Sequence, residues 1–238
     1  FRSGKGVIDE RHYLSQSFPA GHRLWADADV VLAIGTRLKY QQMYWGLDKN
    51  LKILRIDIDP TEINRISKPE IGIVADARTA LETLLPLVES HNIPRPSRRK
   101  ELNYLRTEFQ DAFEDKIAPQ MGYLRVIREE LPEDGFFVDE VTQVGFASWY
   151  AFPTYHPRQF ISAGYQGTLG YGYATALGVQ AAHPDKKVIA IAGDGGFLFN
   201  VQELATAVQY GLGVVVIVFN DNKFGNVQRQ QKEWFGGR

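Results

Sequence analysis

Val188-Ile189-Ala190-Ile191-Ala192 runs straight into Gly193-Asp194-Gly195-Gly196, and Val214-Val215-Val216-Ile217-Val218-Phe219 runs straight into Asn220-Asp221-Asn222. Both apolar runs are short and rich in β-branched residues, the pattern of strands buried in a sheet. Between them, Asn200 followed three positions later by Glu203 has the form of a capping box that opens a helix, and Gly211 is placed to close it. Strand, helix and strand in this order make a right-handed crossover joining two parallel strands. That topology puts Asp194 and Asp221 in neighbouring loops at the C-terminal edge of the sheet, where open α/β sheets take their ligands. Two carboxylates meeting there, with glycines that let a phosphate approach the backbone, describe a seat for a divalent cation and a diphosphate. Taken singly, the same letters also describe a tight turn and a polar loop. The spacing, the intervening helix and the two strands together favour the seat.

The 238 residues allow one large or two smaller domains, and 44% hydrophobic with 23% charged residues is ordinary for a globular protein. A net charge of −1 gives no reason to expect a nucleic-acid or membrane-surface partner. The absence of cysteine excludes disulfides, thiolate metal sites and thiol catalysis. No apolar run is long enough to span a membrane, and residues 1–6 lack a signal-peptide pattern, so a cytoplasmic enzyme is expected.

Residues 28–35 read as a strand ending in a glycine turn, 51–59 as a second strand stopped by Pro60, 60–63 as a short helical turn, and 71–75 as a third strand. In 77–90, Ala80, Leu81, Leu84, Leu85 and Val88 recur at helical spacing. Alternating strands and helices imply a parallel sheet. Residues 91–100, with two prolines and a charge run, read as a linker. Beyond it come a polar helix near 101–116, a helix near 122–131, a turn at 132–135 and a strand at 136–139. The glycine- and alanine-rich stretch 163–182 is expected to finish as a buried helix. The fold class is therefore α/β, with two Rossmann-like parallel-sheet domains: 1–90, and 101–238 after the linker.

The Gly-Asp-Gly and Asn-Asp-Asn pair resembles the diphosphate-anchoring signature of thiamine-diphosphate enzymes. In that family Mg²⁺ is held by this Asp, by a side chain twenty-seven residues on, and by a main-chain carbonyl two residues further. The resemblance assigns these roles to Asp194, Asp221 and the Lys223 carbonyl, with Gly195 and Gly196 beside the diphosphate. Asp221 departs from the family's usual Asn. Gly35-Thr36-Arg37 and residues 56–63 resemble the central domain of the acetolactate-synthase-like branch, and the chain from about residue 100 resembles its diphosphate-binding domain. Both domains are then incomplete: a pyrimidine-binding domain carrying the family's essential Glu would precede Phe1, and more strands and helices would follow Arg238. Such a fragment is expected to be inactive alone, and the complete protein to be a homodimer or homotetramer.

The glycine-rich stretch 164–170 resembles the family loop that bends the cofactor. Leu169 takes the position of the apolar side chain beneath its rings. The Gly167 carbonyl, the Leu169 N–H and neighbouring Thr168 fall on its contact positions. Read without the resemblance, the stretch is a glycine-rich helix start. Residues 139–145 resemble the loop that touches the diphosphate, most closely as in benzoylformate decarboxylase, which points to Thr142 and Gln143. Glu140 is not assigned the essential-Glu role. Arg37 matches a position that contacts FAD in flavin-containing members, but Leu38-Lys39-Tyr40-Gln41-Gln42 departs from their acidic run, so a structural central domain is expected. His156 reads as an exposed loop residue.

The implied activity is a thiamine-diphosphate- and Mg²⁺-dependent lyase or carboligase acting on a 2-oxo acid, acetolactate-synthase-like, with benzoylformate-type decarboxylation as the alternative. A non-catalytic diphosphate- or nucleotide-binding module on the same crossover would not need Leu169 in its loop. A plain dinucleotide binder is disfavoured because no Gly-x-Gly-x-x-Gly follows the first strand.

Overall fold

The computed structural model describes residues 4–47, 50–164 and 166–238. The chain divides into two compact units, Phe18–Lys100 and Glu101–Arg238, the latter joined by the segment that ends at Ser17. Residues 4–17, expected with the first domain, thus group with the second. The start of the 1–6 segment and Tyr165 of the glycine loop lie outside the described residues.

In the unit Phe18–Lys100, helix α1 (Phe18–Trp25) precedes strand β1 (Val30–Ile34), a π-helical turn (Gln41–Trp45), β2 (Lys52–Asp57), α2 (Pro60–Ile63), β3 (Ile71–Val74) and α3 (Ala77–His91). The three strands are parallel in the order β1-β2-β3. Asp59 starts α2 by accepting the Thr61 N–H at 2.8 Å, with Pro60 contributing its fixed φ at the first helical position. Asp76 caps α3 in the same way through the Thr79 N–H at 3.0 Å. The apolar stripe of α3 does not build a core in this unit: Leu81, Leu85 and Val88 stand exposed. Arg55 is fully buried, and its guanidinium donates to the carbonyls of Thr36 (2.9 Å) and Ile63 (3.2 Å). A buried charge held by main-chain oxygens fixes the loops after β1 and α2.

The second unit contains α4 (Arg99–Lys116), α5 (Ala118–Glu130), β4 (Phe136–Val138), α6 (Gln143–Ala151), β5 (Phe160–Ile161), α7 (Tyr171–Ala182), β6 (Val188–Gly193), α8 (Asp194–Leu198), a 3₁₀ turn (Val201–Glu203), α9 (Leu204–Tyr210), β7 (Val215–Phe219) and α10 (Gly225–Phe235). Its four strands are all parallel, in the order β5-β4-β6-β7. Every described position of β6 up to Ala192 is buried, as a strand covered on both faces must be. One face carries Leu124, Ile127, Phe137, Phe152 and Ile191, with the Phe137 and Phe152 rings stacked at 4.1 Å. The other packs Val138, Val188 and Ala190 against Ala176 of α7. The small residues of α7 permit that close approach.

The expected capping box after β6 is not formed. A helix already begins at Asp194, and Asn200 makes no side-chain cap; its amide donates to the Gly170 carbonyl at 2.5 Å. Glu203 accepts from the Thr206 hydroxyl at 2.6 Å instead of reaching back. Gly211 does end α9, in the left-handed region at φ +63° that its missing side chain permits.

The segment 4–17 is fastened to its own unit by polar contacts. Lys5 pairs with Glu10 at 2.8 Å, Glu10 accepts the Thr154 N–H at 3.0 Å, and Arg11 pairs with Glu133 at 2.6 Å while lying over the Tyr155 ring. Arg106 donates to the carbonyls of Arg11, His12 and Ser15. Burial pushes the Lys5 ammonium below its ordinary pKa, against the opposing pull of Glu10.

Candidate functional site

Parallel pairing decides what meets at the edge of the second sheet. Gly193 is in register with Phe219, so Asp194 and Asn220 leave the sheet side by side. Val138 is in register with Ala190, which brings the loop after β4 to the same edge. The loop after β5, which holds the glycine-rich stretch, leaves there too. Four loops therefore converge on the C-terminal edge. His156 lies in the loop entering β5 and is exposed at the opposite edge. A cleft of about 740 Å³ opens at that opposite edge as well, lined by Pro184, Lys187, Tyr210 and Gly213 among others, so it is separate from the converging loops.

Asp194 is the first residue of α8 and half-buried, and Asp221 is exposed. The loop bearing Asp221 is folded by two local devices: Asn220 accepts the Asn222 N–H at 3.0 Å, and Asn222 adopts φ +55°. A methyl group on Gly225 would stand 3.2 Å from Asp221 Oδ2. Lys223 is exposed in the same loop. Among the described residues no three His, Asp or Glu side chains gather as a metal site. Asp194 and Asp221 could offer two hard carboxylates, with main-chain oxygens beside them, to an ion that takes its remaining ligands from a bound phosphate.

The glycines of the turn are closely approached by protein side chains. A Cβ on Gly195 would meet the Phe224 ring at 2.4 Å, and one on Gly196 would meet Glu140 Oε1 at 2.0 Å. Thr142 packs its methyl 3.5 Å from the Cβ position of Gly193, while its hydroxyl oxygen caps α6 by accepting the Gly145 N–H at 2.8 Å. Gln143, next in the chain, is exposed.

In the glycine loop, Gly164, Gly167 and Gly170 all have positive φ. Gly167 and Thr168 are exposed, and Leu169 is 37% exposed, a large apolar side chain held out of the core. Gly170 is pinned on both sides: its carbonyl accepts from Asn200 and its N–H donates to Glu140 Oε1 at 2.7 Å.

Glu140, which the sequence left without a role, is a buried acid of this edge. It is 1% exposed, and its second oxygen accepts the Gly172 N–H at 3.0 Å. Burial drives its pKa up, partly offset by these two hydrogen bonds. Asp139 beside it accepts from the indole N–H of Trp149 and from the Ser162 hydroxyl at 3.2 Å. The available signal was position alone: Asp139 and Glu140 follow directly on the strand β4. In the other unit, Arg37 lies 3.4 Å from Glu62.

Asp194 and Asp221 thus stand at adjacent strand ends, and the glycine loop leaves the same sheet edge. Residues 140–238 match the family model "Thiamine pyrophosphate enzyme, C-terminal TPP binding domain", and residues 2–84 match "Thiamine pyrophosphate enzyme, central domain". The chain belongs to the thiamine pyrophosphate enzyme family. Within it, the chain is similar to acetolactate synthase large subunits. It is 30% identical to that of isozyme 1 from Escherichia coli K12, over 97% of this chain and 42% of the relative. It is 34% identical to a probable acetolactate synthase large subunit of Methanocaldococcus jannaschii, over 99% of this chain and 43% of the relative. It is also 34% identical to an acetolactate synthase of Arthrospira platensis, over 99% and 43%. The chain thus spans about two fifths of the length of the curated relatives it matches. Among the described residues no helix is long and apolar enough to cross a membrane.

Proposed function

We propose that this chain supplies the diphosphate-binding half of the active site of an acetolactate-synthase-like enzyme, dependent on thiamine diphosphate and Mg²⁺, that decarboxylates a 2-oxo acid and joins the remainder to a second carbonyl compound. The observation that carries the reading is the convergence of Asp194, Asp221 and the Leu169 loop on one sheet edge. A plain phosphate binder has no use for an apolar side chain held in the open there.

In this reading Asp194, Asp221 and the Lys223 carbonyl hold Mg²⁺ against the diphosphate. Gly195, Gly196, Thr142, Gln143 and Thr168 line that end of the cofactor. Leu169 props the rings, with the Gly167 carbonyl and Leu169 N–H toward the pyrimidine. When bound, thiamine diphosphate supplies the carbon nucleophile for the reaction. The chain supplies placement and charge balance, since holding a reactive conformation accounts for much of catalysis of this kind. Simple decarboxylation is the second reading, favoured by the likeness of residues 139–145 to the benzoylformate decarboxylase loop. A homodimeric or homotetrameric assembly belongs to the same proposal and rests on the resemblance alone.

The test is titration of the full-length protein with thiamine diphosphate, with and without Mg²⁺, followed by product analysis with pyruvate as the simplest 2-oxo acid. Mg²⁺-dependent binding and a carboligated product are expected. Tight binding without Mg²⁺, or no carbon dioxide release from any 2-oxo acid, would sink the reading. Carbon dioxide with an aldehyde alone would select simple decarboxylation.

A further inference from the structure

We propose that Glu140 is a positioning residue that locks the glycine loop and the Gly-Asp-Gly-Gly turn into one rigid unit, fixing Leu169 relative to Asp194. The inference rests on the functional reading above and deepens it. Two segments distant from Glu140 and from each other in sequence meet on this one carboxylate. Oε1 accepts the Gly170 N–H at 2.7 Å, and Oε2 accepts the Gly172 N–H at 3.0 Å, so both oxygens grip the junction between the loop and α7. On its other side Oε1 touches the turn, where a methyl group on Gly196 would come within 2.0 Å of it. Gly172 is equally tight, at 2.7 Å from its Cβ position to Oε2. Aspartate falls one carbon short of these contacts, and glutamine turns a donor toward a second donor. The group is buried at 1% exposure, which keeps water from substituting for it.

Rings and diphosphate are two ends of one cofactor, and the chain holds them with two separate loops. An enzyme that uses both needs the distance between those loops fixed to a fraction of an ångström. Glu140 touches neither end; it holds the loops that do. Asn200, donating to the Gly170 carbonyl from beyond α8, braces the same residue from the second side.

The experiment separates the two ends by choice of probe, in the full-length protein. Thiamine diphosphate with Mg²⁺ reads both loops, whereas inorganic diphosphate with Mg²⁺ reads only the turn. Glu140→Ala is expected to weaken thiamine diphosphate binding at least tenfold while changing the affinity for inorganic diphosphate less than twofold. Glu140→Gln, which keeps the volume and one acceptor, is expected to fall between the wild type and Glu140→Ala, and it stands in for the alanine variant if that does not fold. Hydrogen exchange at the Gly170 and Gly172 amides should accelerate in both variants while the β6 amides stay protected. Equal loss of both probes, or no loss of either, would overturn the inference while leaving the function intact. Failure of the wild type to bind thiamine diphosphate would overturn the function and the inference together.

Discussion

Gly195 and Phe224 are in contact across the gap between the loops after β6 and β7: a methyl group on Gly195 would lie 2.4 Å from the Phe224 ring. The ring is half exposed and able to swing outward, so Gly195→Ala should cost little stability. The swing would drag the 220–224 loop and with it Asp221. We expect Gly195→Ala to lower Mg²⁺-dependent cofactor affinity about tenfold, roughly 1.4 kcal/mol. Adding Phe224→Ala should restore it. Calorimetry on the single and double variants decides; no rescue would mean the glycine is needed for another reason.

Asp194 and Asp221 differ in setting, one half-buried at a helix start and one exposed in a turn. Asp194→Ala should abolish Mg²⁺-dependent binding of thiamine diphosphate. Asp221→Asn should be tolerated, because an amide oxygen still reaches the ion and one negative charge facing the diphosphate is removed. Titration at fixed Mg²⁺ would show the ordering, and a reversed order would reject the assignment.

Leu169 is 37% exposed, so Leu169→Ala removes only part of a core contact. The stability loss should fall below the roughly 2–5 kcal/mol of fully buried leucine truncations. Turnover should nevertheless drop at least tenfold with cofactor affinity nearly kept, since the diphosphate anchor is intact. Thermal melts beside steady-state kinetics test this split.

Glu140 is held above the ordinary carboxylate pKa of 4.5 by burial. A carboxyl whose folded-state pKa is raised binds its proton more tightly when folded. Its contribution is therefore fully present below the unfolded value and is lost as pH rises through the folded one. Urea unfolding at rising pH should show the wild type losing stability relative to Glu140→Gln, once pH passes the ordinary carboxylate value. Glu140→Gln should flatten the slope, and an unchanged slope would reject the cause.

Phe152 is 1% exposed and stacked on Phe137. Phe152→Ala should cost about 3–5 kcal/mol, visible as a shifted urea midpoint.

The strands were legible because parallel strands are written as uninterrupted β-branched runs, and both runs that frame Asp194 and Asp221 fold as strands; only β6 is buried as expected, whereas β7 ends the strand order and leaves Val215 and Val218 exposed. Local signals failed where tertiary contacts outbid them. Asn200 has the letters of a helix cap, but Gly170 lies close enough to claim its amide. The two-residue β5 and α6, whose residues are apolar nearly all round, offer no period to read. Glu140 received no role from the sequence because its partners are backbone N–H groups thirty or so residues away, and main-chain donors leave no letter in the sequence. The stripe on α3 was correct as a helix signal and silent about what covers it.

The segment that ends at Ser17 carries a practical consequence for dissecting the chain. Because it is pinned by Glu133, Thr154 and Arg106, the polypeptide leaves this unit after Ser17 and re-enters it at Glu101. Topologically, Phe18–Lys100 is a guest inserted into a host. A protease nick in the proline-containing stretch 92–98 would therefore cut the covalent path without releasing the N-terminal piece, which would still be anchored by residues 5–15. Gel filtration of the nicked protein would run as one species, and only denaturant would separate the halves.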